Sequence, residues 1–311
     1  MRVVVLGAGS LGSLVGGLLA MTDADVTILG RESEHVEAVR ERGLRVVHPD
    51  GTDSTVDVPV ATDAAAAADA DLLVVCVKSY DTDEAVSGVA SHLDETDVLT
   101  LQNGLGNAET IAAAVPEERV IAGTTTHGAV IESPGVVRHA GRGDTTIGRC
   151  FAVNDDRVQA TATLLSDAGL SATVTDDPKA AVWEKVLVNA GINAATALAR
   201  VPNGALVESE PGEGLLERAV WEGVRVARAE GVDVPEDCVE RTREVAERTA
   251  TNHSSMRQDV EAGKQTEIEA LNGALARRAD DHGVDAPVNE TLADLVRLTE
   301  RPSESDDQLH D

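Results

Sequence analysis

At 311 residues, with 55 acidic side chains against 26 basic ones, the chain carries a formal charge of −29. A field of that sign repels nucleic acid and anionic membrane, and the length fits two domains better than a single core. Cys76, Cys150 and Cys238 are odd in number, far apart and without a C-x-x-C pair, so neither a disulfide framework nor a zinc or other metal site is indicated.

The stretch Val3 to Leu6 is a β-branched run that reads as a strand buried on both faces. Gly7-Ala8-Gly9-Ser10-Leu11-Gly12 follows in G-x-G-x-x-G spacing and opens a small, uncharged segment, up to Met21, that can form a helix. In such a strand–loop–helix unit the first glycine turns the chain sharply. The second leaves no Cβ between backbone and pyrophosphate, the third lets helix and strand approach, and the helix N-terminus faces the phosphates. Residues Val3 to Thr22 carry no charge and superficially suggest a signal peptide. Five glycines interrupt the stretch, however, and cleavage there would delete the first strand of an α/β domain. The chain is therefore expected to be soluble and cytoplasmic.

Asp25 to Leu29 reads as the second strand, whose end selects the cofactor in dinucleotide-binding domains. An acidic residue there would accept from the ribose 2′-OH of NAD. This chain has Gly30-Arg31, and an arginine suits a 2′-phosphate, so NADP(H) is expected. Helix Glu32 to Arg42, strand Leu44 to Val47 and a hairpin-like Gly51 to Val60 follow. Strands at Asp71 to Val77 and Val98 to Leu101 place Lys78 and Asn103 just beyond their carboxyl ends, where open parallel sheets bind ligands. From Val120 to Gly148 the β-prone pieces suggest strands closing the sheet, and His127 within them reads as structural. Asp155 to Asp167 reads as a helix and Ser171 to Val174 as a last strand. Past Asp176 the pattern is helical through Leu298, which gives domains 1–175 and 176–300 and an acidic tail, 301–311, expected to fray. The glycosylation patterns at Asn252 and Asn289 are chance matches in a cytoplasmic chain.

Only four of the basic residues are lysines: Lys78, Lys179, Lys185 and Lys264. Excess carboxylate with little lysine resembles proteins of a high-salt cytoplasm, and it makes each lysine a candidate for chemistry. Val182 to Leu198 is almost wholly apolar or small, yet Lys185, Asn189 and Asn193 step by four along one face. On a helix that is otherwise buried all round, such a row should line a cleft, and its desolvation would lower the lysine pKa toward neutrality, as suits a proton donor.

With GAGSLG at Gly7 to Gly12 there also stand VVCVKS at Val74 to Ser79, QNGLG at Gln102 to Gly106 and GTTTH at Gly123 to His127. WEKVLVNAGIN at Trp183 to Asn193, PNG at Pro202 to Gly204, SSMRQD at Ser254 to Asp259 and KQTEIEALNG at Lys264 to Gly273 continue the series. On these segments the chain resembles the ketopantoate reductase family, NADPH-dependent enzymes that reduce 2-dehydropantoate to pantoate on the route to coenzyme A. The resemblance implies a Rossmann-type domain followed by an all-helical domain like the C-terminal one of 6-phosphogluconate dehydrogenase. It implies Lys185 as general acid and Glu267 as its partner, organising the substrate's hydroxyl end and reaching the cofactor. Asn189, Asn193 and Ser255 would hold carboxylate and hydroxyl groups, with Asn203 nearby. Asn103 and Lys78 would sit beside nicotinamide and ribose, Asn103 touching substrate too, while Gly7 to Gly12 and Arg31 take the phosphates. On the residues alone, Ser255 could be an N-cap and Glu267 a solvated acid. A reductase of another branched 2-keto acid would carry the same Lys/Asn row, whereas a non-catalytic NADP sensor would keep the glycine loop, use the helical domain for partners and have no need of Lys185; a helical second domain could pair into a homodimer.

Overall fold

The computed structural model describes residues 1–300; the acidic tail, 301–311, lies outside the described residues. Two compact units are present, Met1–Val182 and a second beginning at Trp183.

In the first unit β1 (Arg2–Leu6) is central, and its alternate residues leave it in opposite directions. Val3 and Val5 enter a core with Leu14, Val15 and Leu18, whereas Val4 and Leu6 join Val86, Ile111 and Val120 on the other face. Burial on both faces accounts for the unbroken apolar run. The elements that follow are α1 (Ser10–Leu19), β2 (Asp25–Leu29), α2 (Glu34–Arg42), β3 (Leu44–Val47), β4 (Asp53–Val56) and β5 (Val60–Ala61). Next come β6 (Leu72–Val75), α3 (Thr82–Val89), β7 (Asp97–Thr100), α4 (Asn107–Ala112) and β8 (Val120–Thr125). The unit continues with β9 (Gly128–Ser133), β10 (Val136–Gly141), β11 (Thr145–Arg149), α5 (Asp156–Asp167) and β12 (Ala172–Val174).

Six strands pair in parallel in the order β5-β2-β1-β6-β7-β8, with Val3 level with Val26 on one side and Leu72 on the other. This is the doubly wound Rossmann arrangement, and its order reverses between β1 and β6. β11 adds antiparallel to β8, and β12 parallel to β11.

The sequence suggests that all the strands between Val120 and Gly148 close this sheet, and here the structure corrects the reading. Only β8 and β11 do so; β9 and β10 leave it and join β3 and β4 in a second sheet, ordered β4-β3-β10-β9. The physical reason lies in α1. This helix packs on β1 and β2 with one side and on β3, β9 and β10 with the other. Side chains at Gly16 and Gly17 would meet Ile28 of β2 and Val46 of β3 respectively. A helix covered from both sides has no place for a charge, which explains why Val3 to Thr22 looks superficially like a signal peptide. No helix among the described residues is long and apolar enough to cross a membrane.

Two buried polar clusters brace the unit. Arg149, with its side chain 2 % exposed, donates to Asp97 at 2.8 Å and to Asp155 at 2.8 Å, and Arg157 donates to the other Asp97 oxygen at 2.7 Å. His127 belongs to the other cluster, as a structural residue: its Nε2 donates to the Leu170 carbonyl, which fixes Nδ1 as the acceptor for His139 Nε2 at 2.8 Å. Burial lowers the pKa of both rings, that of His139 to about 4.

The second unit is helical: α6 (Pro178–Ala199), inside which the division between units falls, then α7 (Glu210–Ala229), α8 (Cys238–Arg248), α9 (Ser255–Glu261), α10 (Asn272–His282) and α11 (Pro287–Glu300). α7 packs on α8, α10 and α11. Asn289, at the start of α11, is fully buried, so its glycosylation pattern is unusable in the folded chain.

Candidate functional site

In the first unit the groups of interest lie beyond the carboxyl ends of β1, β2, β6 and β7. Gly7 follows β1 with φ +115°, and its N–H donates to Leu29 O at 2.7 Å, so the loop closes over the end of β2. A Cβ on Gly12 would stand 1.8 Å from the Gly7 carbonyl oxygen, so only glycine permits the helix to start so close to the strand. Gly9, by contrast, is exposed, and a Cβ there would project into open space. Gly9 is also the N-cap of α1, no side chain caps the helix, and its first turn holds no acid. The early N–H groups of an α-helix have no intrahelical acceptor, so this end fits a phosphate-bearing dinucleotide. Ala8, Ser10 and Leu11 are half-buried around it.

A support that the sequence gives no sign of stands behind this loop. Gly135, in the turn between β9 and β10, donates to His35 Nδ1 at 3.1 Å; His35 Nε2 meets Ser13 Oγ at 3.0 Å, and Ser13 Oγ donates to Ala8 O. The acceptor role of Nδ1 puts the proton of the neutral ring on Nε2, so the series runs one way from the second sheet to the glycine loop. Burial lowers the His35 pKa and favours that neutral ring.

Arg31 follows β2 with its side chain 85 % exposed, and its Nη2 meets Asp81 Oδ2 at 2.9 Å. Lys78 stands at the N-cap of the short 3-10 turn Ser79–Asp81 that follows β6. Asn103 lies just after β7 and is half-buried, and its carbonyl accepts from Asn107 Nδ2 at 2.9 Å. Gln102 fixes these two loops together, since its amide donates to Val77 O at 2.8 Å and to Thr82 Oγ1 at 2.7 Å. A glutamine at a strand end has no periodicity to mark it, and only the tertiary contact shows its part.

In the second unit α6 carries Lys185, Asn189 and Asn193 on one face; the first two are half-buried and Asn193 is buried. Burial pushes the Lys185 ammonium down from the ordinary lysine value to about 8, and the nearby Glu267 carboxylate acts in the opposite sense. Glu267 is itself buried, immediately before the 3-10 turn Ile268–Ala270. The solvated-acid alternative for Glu267 is thereby removed. One turn past Asn193, Thr196 Oγ1 meets Ser254 Oγ at 2.8 Å, which brings the start of α9 to the end of the row. The N-cap of α9 is Ser254, which accepts from Arg257 N, and not Ser255. Ser255 is the exposed first residue of the helix, because the buried cap position is taken by the serine that also bonds α6. Asn203 opens the 3-10 turn Asn203–Leu206 that follows α6 and is buried against the end of α8, with Nδ2 donating to Thr249 Oγ1 at 2.9 Å and Oδ1 buried without a partner. Among the described residues no group of three or more His, Cys, Asp or Glu is placed to hold a metal.

Comparison with known proteins gives two family matches along the chain. Residues 3–150 match the family model described as ketopantoate reductase PanE/ApbA, and residues 177–300 match its C-terminal counterpart. A 2-dehydropantoate 2-reductase of Halobacterium salinarum is 62 % identical over 301 residues, covering 97 % of this chain and 99 % of the relative. The crystal structure of a PanE/ApbA family ketopantoate reductase from Ralstonia eutropha superposes with TM-score 0.90 at 36 % identity, over 96 % of this chain and 98 % of that one. A ternary structure of D-mandelate dehydrogenase with NADH and anilino(oxo)acetate gives TM-score 0.91 at 26 % identity, with the same two coverages. The chain, matched along both of its units, belongs to the ketopantoate reductase PanE/ApbA family.

Proposed function

We propose that the protein is a 2-dehydropantoate 2-reductase, reducing the ketone of 2-dehydropantoate to the secondary alcohol of (R)-pantoate for coenzyme A synthesis in the cytoplasm of a salt-adapted cell. One observation carries the reading: a desolvated ammonium, Lys185, on a row with Asn189 and Asn193 and opposed by the buried Glu267.

The glycine loop Gly7 to Gly12 would hold the pyrophosphate of the dinucleotide on the backbone amides of α1. Arg31, whose pair with Asp81 is exposed, would hold the 2′-phosphate, which favours NADP(H), and Lys78 and Asn103 would hold the ribose and nicotinamide. When bound, the reduced nicotinamide supplies the hydride that the ketone carbon accepts. Lys185 Nζ hydrogen-bonds the ketone oxygen and passes it a proton as negative charge develops there. With a pKa of about 8 its ammonium is populated at neutral pH and still gives up a proton readily. Asn189, Asn193 and Ser255 take the substrate carboxylate and hydroxyl, with Asn203 behind them, and Glu267 orients the hydroxyl end while holding the ammonium in place.

Lys185→Ala tests the reading. Removing a general acid is expected to lower kcat for NADPH oxidation with 2-dehydropantoate in molar KCl by about 100- to 10,000-fold, with NADPH affinity kept. Undiminished turnover would refute the mechanism. The likeness to D-mandelate dehydrogenase favours a second reading, reduction of another 2-keto acid. Higher kcat/KM with 2-ketoisovalerate, 2-ketoisocaproate or phenylglyoxylate than with 2-dehydropantoate would establish that reading instead. Pairing of two copies through the helical unit, where Leu295 and Leu298 of α11 are exposed, belongs to the same proposal and is checked by sedimentation in molar KCl.

A further inference from the structure

The helical unit holds a second series of buried polar groups that the proposed chemistry does not use. Glu222, on α7, is buried, and its carboxylate accepts from Val288 N at 3.0 Å, Asn289 N at 2.9 Å and Asn289 Nδ2 at 2.9 Å. Asn289 Nδ2 also donates to Ala219 O at 3.0 Å, which uses both of its hydrogens. Its Oδ1 then accepts from Asn272 Nδ2 at 2.9 Å, and Asn272 spends its other hydrogen on the Ala190 carbonyl of α6 at 3.1 Å. Asn272 Oδ1 is buried with no partner.

These bonds have only one consistent arrangement. A carboxylate and a backbone carbonyl accept and do not donate, so Glu222 and Ala219 compel Asn289 to face them with its nitrogen. Its oxygen therefore faces Asn272, and Asn272 must present nitrogen both to it and to Ala190. Turning the Asn272 amide over would set oxygen against two acceptors. A buried acceptor left without a donor is costly, so the orphan oxygen is tolerated in return for one fixed orientation.

The place of this series in the chain gives it a role. Ala190 adjoins Asn189 and lies five residues past Lys185, about 7.5 Å along the helix axis. Asn272 lies five residues past Glu267, with only the 3-10 turn and Leu271 between. The Asn272 amide thus joins the segment bearing Glu267 to the helix bearing Lys185.

We propose that Asn272, oriented by Glu222 and Asn289, is a positioning residue for the reduction, clamping the Glu267 segment to α6 and so fixing where the Lys185 ammonium stands. This rests on the reaction assigned above. Since the Glu267 carboxylate raises the Lys185 pKa against the opposing effect of burial, loosening the clamp weakens that lift. The ammonium then loses its proton at lower pH.

Asn272→Leu preserves most of the side-chain volume and removes both donors. Small displacements of catalytic groups cost up to about 100-fold, so kcat with 2-dehydropantoate and NADPH is expected to fall about 10- to 100-fold with KM changed far less. The alkaline limb of the kcat profile is expected to move to lower pH. An unchanged kcat, or a limb that stays or moves up in a variant with wild-type circular dichroism, overturns the proposal. If Asn272→Leu does not fold, Glu222→Gln applies the test from the far end. It keeps an acceptor for α11 but lets the amide turn, and a smaller fall in kcat with the same displacement of the limb is expected; wild-type values for both overturn the proposal. Wild-type protein that does not turn over 2-dehydropantoate refutes the assigned reaction instead, whatever the variants do.

Discussion

The two units put functional groups in place by different means. In the first the decisive groups are backbone: an N–H-rich helix start, a glycine turned to positive φ and a second glycine under the loop carbonyl. In the second they are side chains on a buried helix, held by other side chains. A backbone site demands glycine at fixed spacing and so shows in the sequence. A side-chain site takes its properties from neighbours distant in the chain, and its sequence signal is only a polar row on an apolar helix.

The comparison is broken most severely by filling the space that the first unit leaves. Gly12→Ala places a Cβ against the Gly7 carbonyl, so the loop must move, and NADPH binding measured by fluorescence titration is expected to be lost outright. The helical unit should stay folded by circular dichroism, and tight NADPH binding by the variant would show that the loop is not the cradle. A smaller, graded effect belongs to the second unit. A general acid works only while protonated and the Lys185 pKa is about 8, so kcat for ketone reduction should be level below that pH. It should fall about tenfold per pH unit well above it, and a kcat flat to pH 10 would remove Lys185 from the proton transfer. Smallest is the effect of releasing Arg31 from Asp81, because that pair is exposed and such pairs contribute roughly 0–1 kcal/mol. Freeing the arginine by Asp81→Asn is expected to strengthen NADPH over NADH a few-fold, by up to about fivefold on that scale. Arg31→Asp should abolish the preference, and equal losses with both cofactors would sharpen the assignment against a 2′-phosphate role.

Legibility followed the same division. The strand run, the glycine loop and the spacing of Lys185, Asn189 and Asn193 could be read directly, because each follows from a local period or a steric requirement. The departure of β9 and β10 into a second sheet could not, since β-prone residues say nothing of which edge they join. Nor could the His35–Ser13 support of the glycine loop, whose partners are 22 residues apart with Gly135 a further 100 away. Ser255 and Glu267 were accessible only through the family resemblance. The structure brings Glu267 close to Lys185 and Ser254 against Thr196, and no pattern in the chain announces either pairing.

The Arg149–Asp97 pair has a consequence for a protein so rich in surface carboxylates. Its two side chains are 2 % and 3 % exposed, out of reach of dissolved ions, so diluting the salt leaves that attraction at full strength. Only the outer carboxylates feel the loss of counterions. Desalting should therefore loosen the periphery first and leave the junction of β7, β11 and α5 as the last part of the sheet to come apart.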